Sequence, residues 1–166
     1  MPAVISDTSA LNYLARLGQF ELLRLEFQRV FVPPAVQAEL MKRPDLPGWH
    51  CVQQALTAGW LEIRFPQNQG EVIALREDLG AGEAEAIALA RELPSALLLM
   101  DEAYGRAIAA KLNIGLIGTA GVLLRARKAG AILQLKPLLD ELVNQHGFRL
   151  SQKLYQDALR EAGELP

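Results

Sequence analysis

Asp7, Glu39, Glu83 and Asp101 are the residues of this chain whose type and placement could do chemistry. Asp7 closes a short apolar run, Ala3 to Ser6, and Asp101 closes another, Ala96 to Met100, so each stands where a strand hands over to a helix. Glu83 opens the helical stretch that precedes the second run, and Glu39 lies on an early helix. In parallel sheets ligands gather outside the carboxyl ends of the strands, and the ends of strands one and four are commonly neighbours. That would bring Asp7 and Asp101 within reach of a shared cation. Carboxylates placed so close repel each other. A hard divalent cation such as Mg²⁺ relieves that repulsion, prefers oxygen ligands and keeps several waters, which suits a site for phosphoryl chemistry. Each acid also has a plainer reading. Asp7, Thr8 and Ser9 stand where a helix N-cap belongs, Glu83 sits in a first helical turn where the macrodipole favours anions, Asp101 precedes a helix, and Glu39 could face solvent. Taken singly the acids leave both readings open; their arrangement together favours a site.

The elements that must position them follow from apolar periodicity and punctuation. A strand over Ala3–Ser6 is followed by a helix with Leu11, Leu14 and Leu17 at helical spacing, ending at Gly18. A short helix over Phe20–Phe27, a strand at Val30–Val32 and a helix opened by Pro33-Pro34 come next. The prolines between Arg43 and Gly48 mark a loop, after which a helix runs through Val52 and Leu56 to Gly59 and a strand covers Trp60–Phe65. Two helical stretches, Glu71–Leu79 and Glu83–Leu93, are separated by Gly80-Ala81-Gly82, read as a break with high backbone freedom. The Ala96–Met100 strand leads into a helix over Tyr104–Leu112, and Ile114–Ile117 into one over Ala120–Ala129. Two final helices lie near Leu135–His146 and Ser151–Ala162. Short strands alternating with helices imply βαβ crossovers and a parallel sheet covered on both faces.

Composition narrows the classes. The 166 residues suit one domain, 1–166, with 150–166 as a C-terminal helical appendage. With 51% hydrophobic and 22% charged residues the chain is not of the disordered type. A formal net charge of -2 provides no global attraction to nucleic acid, so any such binding must rest on a local basic patch. Cys51 is the only cysteine, which excludes an intrachain disulfide and a multi-cysteine zinc site and is compatible with a reducing cytoplasm. No window approaches the roughly 18 apolar residues of a membrane span, and the expectation is a soluble cytoplasmic protein without a membrane partner. His50 and His146 have neither the spacing of a zinc pair nor a Ser-His arrangement, and no Gly-x-Gly-x-x-Gly follows the first strand. A phosphoacceptor domain would need an acidic pair at the first strand and a lysine at the last, where this chain has Ser6-Asp7-Thr8 and Gly118-Thr119.

Four segments in order then resemble a known family. Val4-Ile5-Ser6-Asp7-Thr8-Ser9-Ala10-Leu11 is similar to the opening of PIN domains, and Pro33-Pro34-Ala35-Val36-Gln37-Ala38-Glu39-Leu40 to their second signature. Gly82-Glu83-Ala84-Glu85-Ala86-Ile87-Ala88-Leu89-Ala90 is similar to the third, and Leu97-Leu98-Leu99-Met100-Asp101-Glu102 to the fourth. The Gly-Glu-Ala-Glu-Ala-Ile form, with Ile117-Gly118-Thr119-Ala120-Gly121-Val122-Leu123-Leu124, looks most like a prokaryotic PIN-like subgroup. The resemblance implies a three-layer α/β/α fold with a central, mainly parallel sheet. It further implies that Asp7, Glu39, Glu83 and Asp101 are catalytic and ligate Mg²⁺ or Mn²⁺, directly or through water. The activity implied is hydrolysis of single-stranded or looped RNA, by the toxin of a toxin–antitoxin pair whose small antitoxin partner occludes the acidic cleft. The alternative is a catalytically silent PIN-like module that binds protein or RNA.

Many PIN domains carry aspartate where Glu83 stands. Glu85, about 200° further round an ideal helix, should face away from Glu83, which is therefore the favoured ligand. Glu102 is read as a first-turn acid in preference to an extra ligand. Thr119 and Ser9 either cap helices or touch a bound water or phosphate, and Arg106, one turn beyond Asp101, either meets a phosphate or is simply solvated. Trp49, Trp60 and Tyr104 could stack on bases, but core packing is the commoner fate of such aromatics. Homodimers are common in the family; Leu138, Leu139, Leu142 and Val143 share one side of a terminal helix and either bury such an interface or cover the sheet.

Overall fold

The computed structural model describes residues 1–166. Five strands, β1 (Ala3–Ser6), β2 (Arg29–Val32), β3 (Leu61–Ile63), β4 (Leu97–Leu99) and β5 (Gly115–Ile117), form one sheet in the order β3-β2-β1-β4-β5. Every pairing is parallel, with Ile5 opposite Phe31 on one side and Leu98 on the other. The α/β class and the parallel sheet expected from the alternation of elements are therefore present, and the sheet is wholly parallel. Chain order runs outward from β1 to β3 along one edge and resumes at β4 on the other side of β1. The order thus reverses between β1 and β4, which makes their carboxyl ends the crevice where ligands of such sheets bind.

The helices are α1 (Thr8–Arg16), α2 (Leu22–Glu26), α3 (Pro34–Met41), α4 (Pro47–Ala58), α5 (Gln69–Leu75), α6 (Ala81–Glu92), α7 (Ala103–Lys111), α8 (Thr119–Lys128), α9 (Lys136–Gln145) and α10 (Gln152–Glu161). They cover both faces because the strand side chains alternate. Val4 and Leu99 enter the larger core with α1, α4, α8 and α9, while Ile5, Leu98 and Met100 enter a smaller one with α6. Leu98 is fully buried, and truncating such a leucine to alanine typically costs about 2–5 kcal/mol.

Two local expectations are corrected, and an alternative left open on α9 is narrowed. The break between the two helices lies at residues 76–80, earlier than Gly80-Ala81-Gly82, since α6 begins at Ala81 with Gly80 as its N-cap and Gly82 within its first turn. Glycine freedom is overridden there because the Gly82 amide, an orphan donor of a helix start, is taken by Glu39. Strands three and four are shorter than their apolar runs, ending at Ile63 and Leu99 where neighbours to pair with run out. Leu139 and Leu142 are fully buried within the larger core, so that side of α9 covers the fold, leaving Val143 at 38% exposure.

The C-terminal segment is clasped to the same body. Leu159 and Ala162 of the α10 region belong to the larger core, and the Glu164 carboxylate accepts hydrogen bonds from the amides of Leu135 (2.6 Å) and Lys136 (2.9 Å) and from Arg127 Nε (3.0 Å). No helix is long and apolar enough to cross a membrane.

Candidate active site

Asp7 follows β1 directly, and its backbone amide donates to Leu99 O (3.1 Å), which ties the end of β1 to that of β4. Its carboxyl is 2% exposed, with Oδ1 accepting from the Ala10 amide at 3.0 Å, so Asp7 is the N-cap of α1. The cap reading and the site reading coincide in this residue. Burial pushes its pKa up to about 8; the Ala10 amide opposes the rise, and the negative charges of Asp101, Glu83 and Glu39 add to it. Those three carboxylates are thus close enough to act on Asp7, and the structure brings all four acids into one neighbourhood.

Two of them are held rigidly. Asp101 Oδ1 accepts from the Thr119 amide (2.8 Å) and Oδ2 from the Thr119 hydroxyl (2.6 Å). A strand-end carboxylate thereby caps α8, whose own N-cap residue, Gly118, has no side chain to offer. Gly118 also makes room for it, because a Cβ there would lie 2.8 Å from Asp101 Oδ1. Burial raises the Asp101 pKa, while Thr119 and the Arg106 guanidinium oppose the rise. Glu39, half-buried on α3, accepts from the Gly82 amide at 3.0 Å and from the Thr8 hydroxyl. A Cβ at position 82 would stand 2.6 Å from Glu39 Oε2. Thr8 and Gly82 therefore form a clamp that joins α1, α3 and α6 through one carboxylate.

Glu83 is half-buried in the first turn of α6. Burial raises its pKa, the charges of Glu102 and Glu39 add to this, and the Gly80 amide opposes it. Glu85 is engaged elsewhere, accepting from the Ala35 amide (2.8 Å) at the start of α3. Glu102 is the N-cap of α7, accepting from the Gly105 amide at 2.8 Å.

The remaining candidates are placed unevenly. Arg106 Nη1 donates to Met100 O at 2.7 Å, which fixes its half-buried guanidinium beside Asp101. Thr119 does not cap its own helix; both its donors serve Asp101. Ser9 is exposed inside α1 and caps nothing, since Asp7 occupies that position. Trp49 and Trp60 pack against the core, whereas Tyr104 is 51% exposed. Thr8, Gly82 and Tyr13 are missed by sequence reasoning. The Tyr13 ring packs edge-to-face on Phe148 at 5.0 Å. Burial raises its hydroxyl pKa first, and the charges of Asp101 and Asp7 add to the rise, while Arg16 and Arg149 oppose it. The Asp-Thr pair after β1 is the one local sign of the clamp; Tyr13 has none.

None of the four acids has a Lys, Arg or His partner within ion-pair distance. Four carboxylates with no ion-pair partner, of which only Asp101 feels a nearby guanidinium, fit a divalent cation. No three Asp, Glu, His or Cys side chains converge to enclose a metal ion. The donor set therefore fits a hydrated Mg²⁺ or Mn²⁺ held by few direct carboxylates and by waters, rather than a closed cage. A surface depression of about 680 Å³ along Ile63–Phe65 and Glu92 contains none of these acids. A groove of about 410 Å³ reaches Asp101 and Arg106.

The family model described as DUF3368: PIN domain matches residues 3–164. The chain belongs to the PIN-domain family. Among solved structures it is similar to the T. brucei RRP44 PIN domain, with 15% identity and a TM-score of 0.51, covering 85% of this chain and 88% of that one. At that identity the likeness speaks for the fold alone. No curated protein matches the chain. The PIN domain is a nuclease-type fold whose members typically use divalent metals. The reversal of strand order and the four acids fall at the same end of the sheet.

Proposed function

We propose that this PIN domain is a Mg²⁺- or Mn²⁺-dependent endoribonuclease that hydrolyses phosphodiester bonds of single-stranded or looped RNA. The observation that carries the reading is Asp7, a carboxylate 2% exposed, with its pKa pushed up to about 8, set among three further acids and facing no protein cation. Asp7, Glu39, Glu83 and Asp101 hold the metal, directly or through water. When bound, the metal supplies Lewis-acid activation of water and neutralises charge at the phosphoryl group. The rest is the work of side chains. Thr8 and Gly82 fix the Glu39 carboxylate, and Thr119 fixes Asp101. Arg106, already oriented by Met100 O, presents guanidinium donors to a phosphate, with Ser9 and the Thr119 hydroxyl as further contacts. In this reading the protein acts in the cytoplasm as the toxin of a toxin–antitoxin pair, restrained by a small antitoxin, and assembles as a homodimer.

The absence of three converging ligands favours a second reading, a silent module that binds RNA or protein through the same fold. Cleavage of a mixed single-stranded RNA pool in Mn²⁺, comparing wild type, EDTA-treated protein and Asp7→Asn, tests the first. Metal-dependent cutting that disappears in the variant supports the nuclease. If there is no cutting and no Mn²⁺-induced rise in melting temperature, the silent module is favoured, because a cation that binds only the folded state must stabilise it by RT ln(1 + [L]/Kd).

A further inference from the structure

The groove that starts at Asp101 lies against both α8 and α10, with Leu124 and the exposed Leu154 among its lining residues. Its charges are not balanced alike. Two of its three lining acids are ion-paired, Asp157 with Lys153 (2.8 Å) and Arg160 (3.3 Å) and Glu161 with Lys128 (3.6 Å), while the third, Asp101, belongs to the acidic cluster. Arg106 and Arg149 also line the groove, and neither has a carboxylate within ion-pair distance. Beyond the paired acids, this wall therefore presents two guanidinium groups without a carboxylate partner, directly beside the acidic cluster. Tyr13, seated on the groove residue Phe148, joins the two regions, since Asp7 and Asp101 act on its hydroxyl together with Arg149 and Arg16.

We infer that this groove is the subsite for the nucleotide next to the scissile bond, with Arg149 and Arg106 receiving its phosphates and Leu124 and Leu154 receiving sugar and base. The inference rests on the nuclease reading for the position of the scissile bond. Charge complementarity selects the occupant. A polyanion meets two unpaired guanidinium groups and ion-paired acids, and base against aromatic or apolar surface is the usual sequence-tolerant complement to such contacts. The acidic site alone would repel the strand that it must cut, and the two adjoining guanidinium groups offset that repulsion where the backbone passes.

The test is fluorescence anisotropy of a labelled 12-nucleotide single-stranded RNA in Mg²⁺, made in an Asp7→Asn background so that the probe stays intact. Arg149 is exposed and makes no side-chain hydrogen bond or ion pair, so Arg149→Ala and Arg149→Glu should fold normally, as circular dichroism will verify. Arg149→Ala should weaken binding by about fivefold or more and flatten the dependence of log K on log salt by about 0.7, the slope of one single-strand phosphate contact. Arg149→Glu should weaken it further, and Arg76→Ala, at the exposed end of α5, should bind like its parent. Binding within twofold of the parent for both Arg149 variants, with unchanged salt slopes, overturns the inference and opens the groove to a protein segment instead. Cleavage by otherwise wild-type protein in Mn²⁺ is scored separately. Cutting with no Arg149 effect sinks only the groove, whereas an Arg149 effect without cutting sinks only the nuclease.

Discussion

Two carboxylate centres in this molecule solve opposite problems. Glu164, in the C-terminal clasp, is surrounded by donors. Partial burial alone would raise its pKa, but the amides of Leu135 and Lys136 and the Arg127 guanidinium outweigh that and hold it below the usual range. Asp7 is buried more deeply, receives one backbone hydrogen bond and faces three more acids, and its pKa rises to about 8. A carboxylate that is satisfied by its neighbours stabilises a fold, whereas one that repels its neighbours costs stability and is retained where something else binds. The difference separates a structural acid from a functional one without reference to sequence similarity.

The largest way to sharpen the contrast is Asp7→Asn. RNA cleavage should fall by more than about 100-fold, beyond the 10–100-fold loss typical for a partner one step removed from a metal ligand. The metal-free protein should meanwhile gain stability at pH 8. Native Asp7 binds a proton between its ordinary pKa of 3.8 and about 8 while the unfolded chain does not, so wild-type stability falls as pH rises through that window. Asn, which cannot ionise and can still accept from the Ala10 amide, removes this slope and recovers up to a few kcal/mol, at about 1.4 kcal/mol per pKa unit. Thermal melts in EDTA from pH 5 to 9 check it. A wild-type slope equal to that of the variant would mean that Asp7 ionises freely. Mn²⁺ should raise the wild-type melting temperature more at pH 8 than at pH 6, because protons compete for the same oxygens.

Gly82→Ala comes next. The added Cβ would stand 2.6 Å from Glu39 Oε2, so the Glu39 clamp must shift. Overpacking of this kind costs about 1–3 kcal/mol, and displacement of a catalytic group by about 1 Å can cost 10²-fold in rate. A variant as stable and as active as wild type would show that Glu39 need not be clamped. Glu164→Gln should behave differently. It keeps one acceptor, loses the charge facing Arg127 and destabilises by about 1–3 kcal/mol with cleavage unchanged. The stabilising part played by Glu164 is present above its ordinary pKa of 4.5 and is lost as pH falls through its lower folded value, so the deficit of the variant should shrink towards pH 3.

The same contrast marks what the sequence makes legible. Apolar runs and helical spacing are local, and they locate every strand and the two terminal helices, as well as the strand ends that carry Asp7 and Asp101. The partners that define each acid are not local. The Gly82 amide is satisfied by Glu39, 43 positions away in the chain, so two glycines that read as a break sit at the start of a helix. Asp101 caps α8 across 18 positions, which commits the Thr119 hydroxyl, read as either a cap or a ligand contact, to a carboxylate just past β4. Ser9 lost the cap to Asp7 because the first helix begins at Thr8. Tyr13 comes near the acids, and Arg149 lines the groove beside Asp101, only once α1 and the loop before α10 are packed, and no spacing in the chain announces it.

The smallest effect concerns Glu102, which belongs to both kinds of centre. Its carboxylate caps α7 through the Gly105 amide at 2.8 Å and also adds to the rise in the Glu83 pKa. Glu102→Gln keeps an acceptor for the cap and removes the charge, so the change in stability should stay within about 0.5 kcal/mol, as for most exposed substitutions. The Glu83 pKa should move back towards its ordinary value, because burial, the main cause of its rise, remains while one repelling neighbour is gone. Carboxyl-carbon NMR titration of metal-free protein, with Glu83 assigned by Glu83→Gln, reads this directly. An unmoved Glu83 titration would confine Glu102 to the cap and shrink the repulsive cluster to Asp7, Glu39, Glu83 and Asp101. A shift would make a helix cap part of the charge that the metal must balance, so that Glu102→Gln would also weaken Mn²⁺ binding slightly without touching the ion.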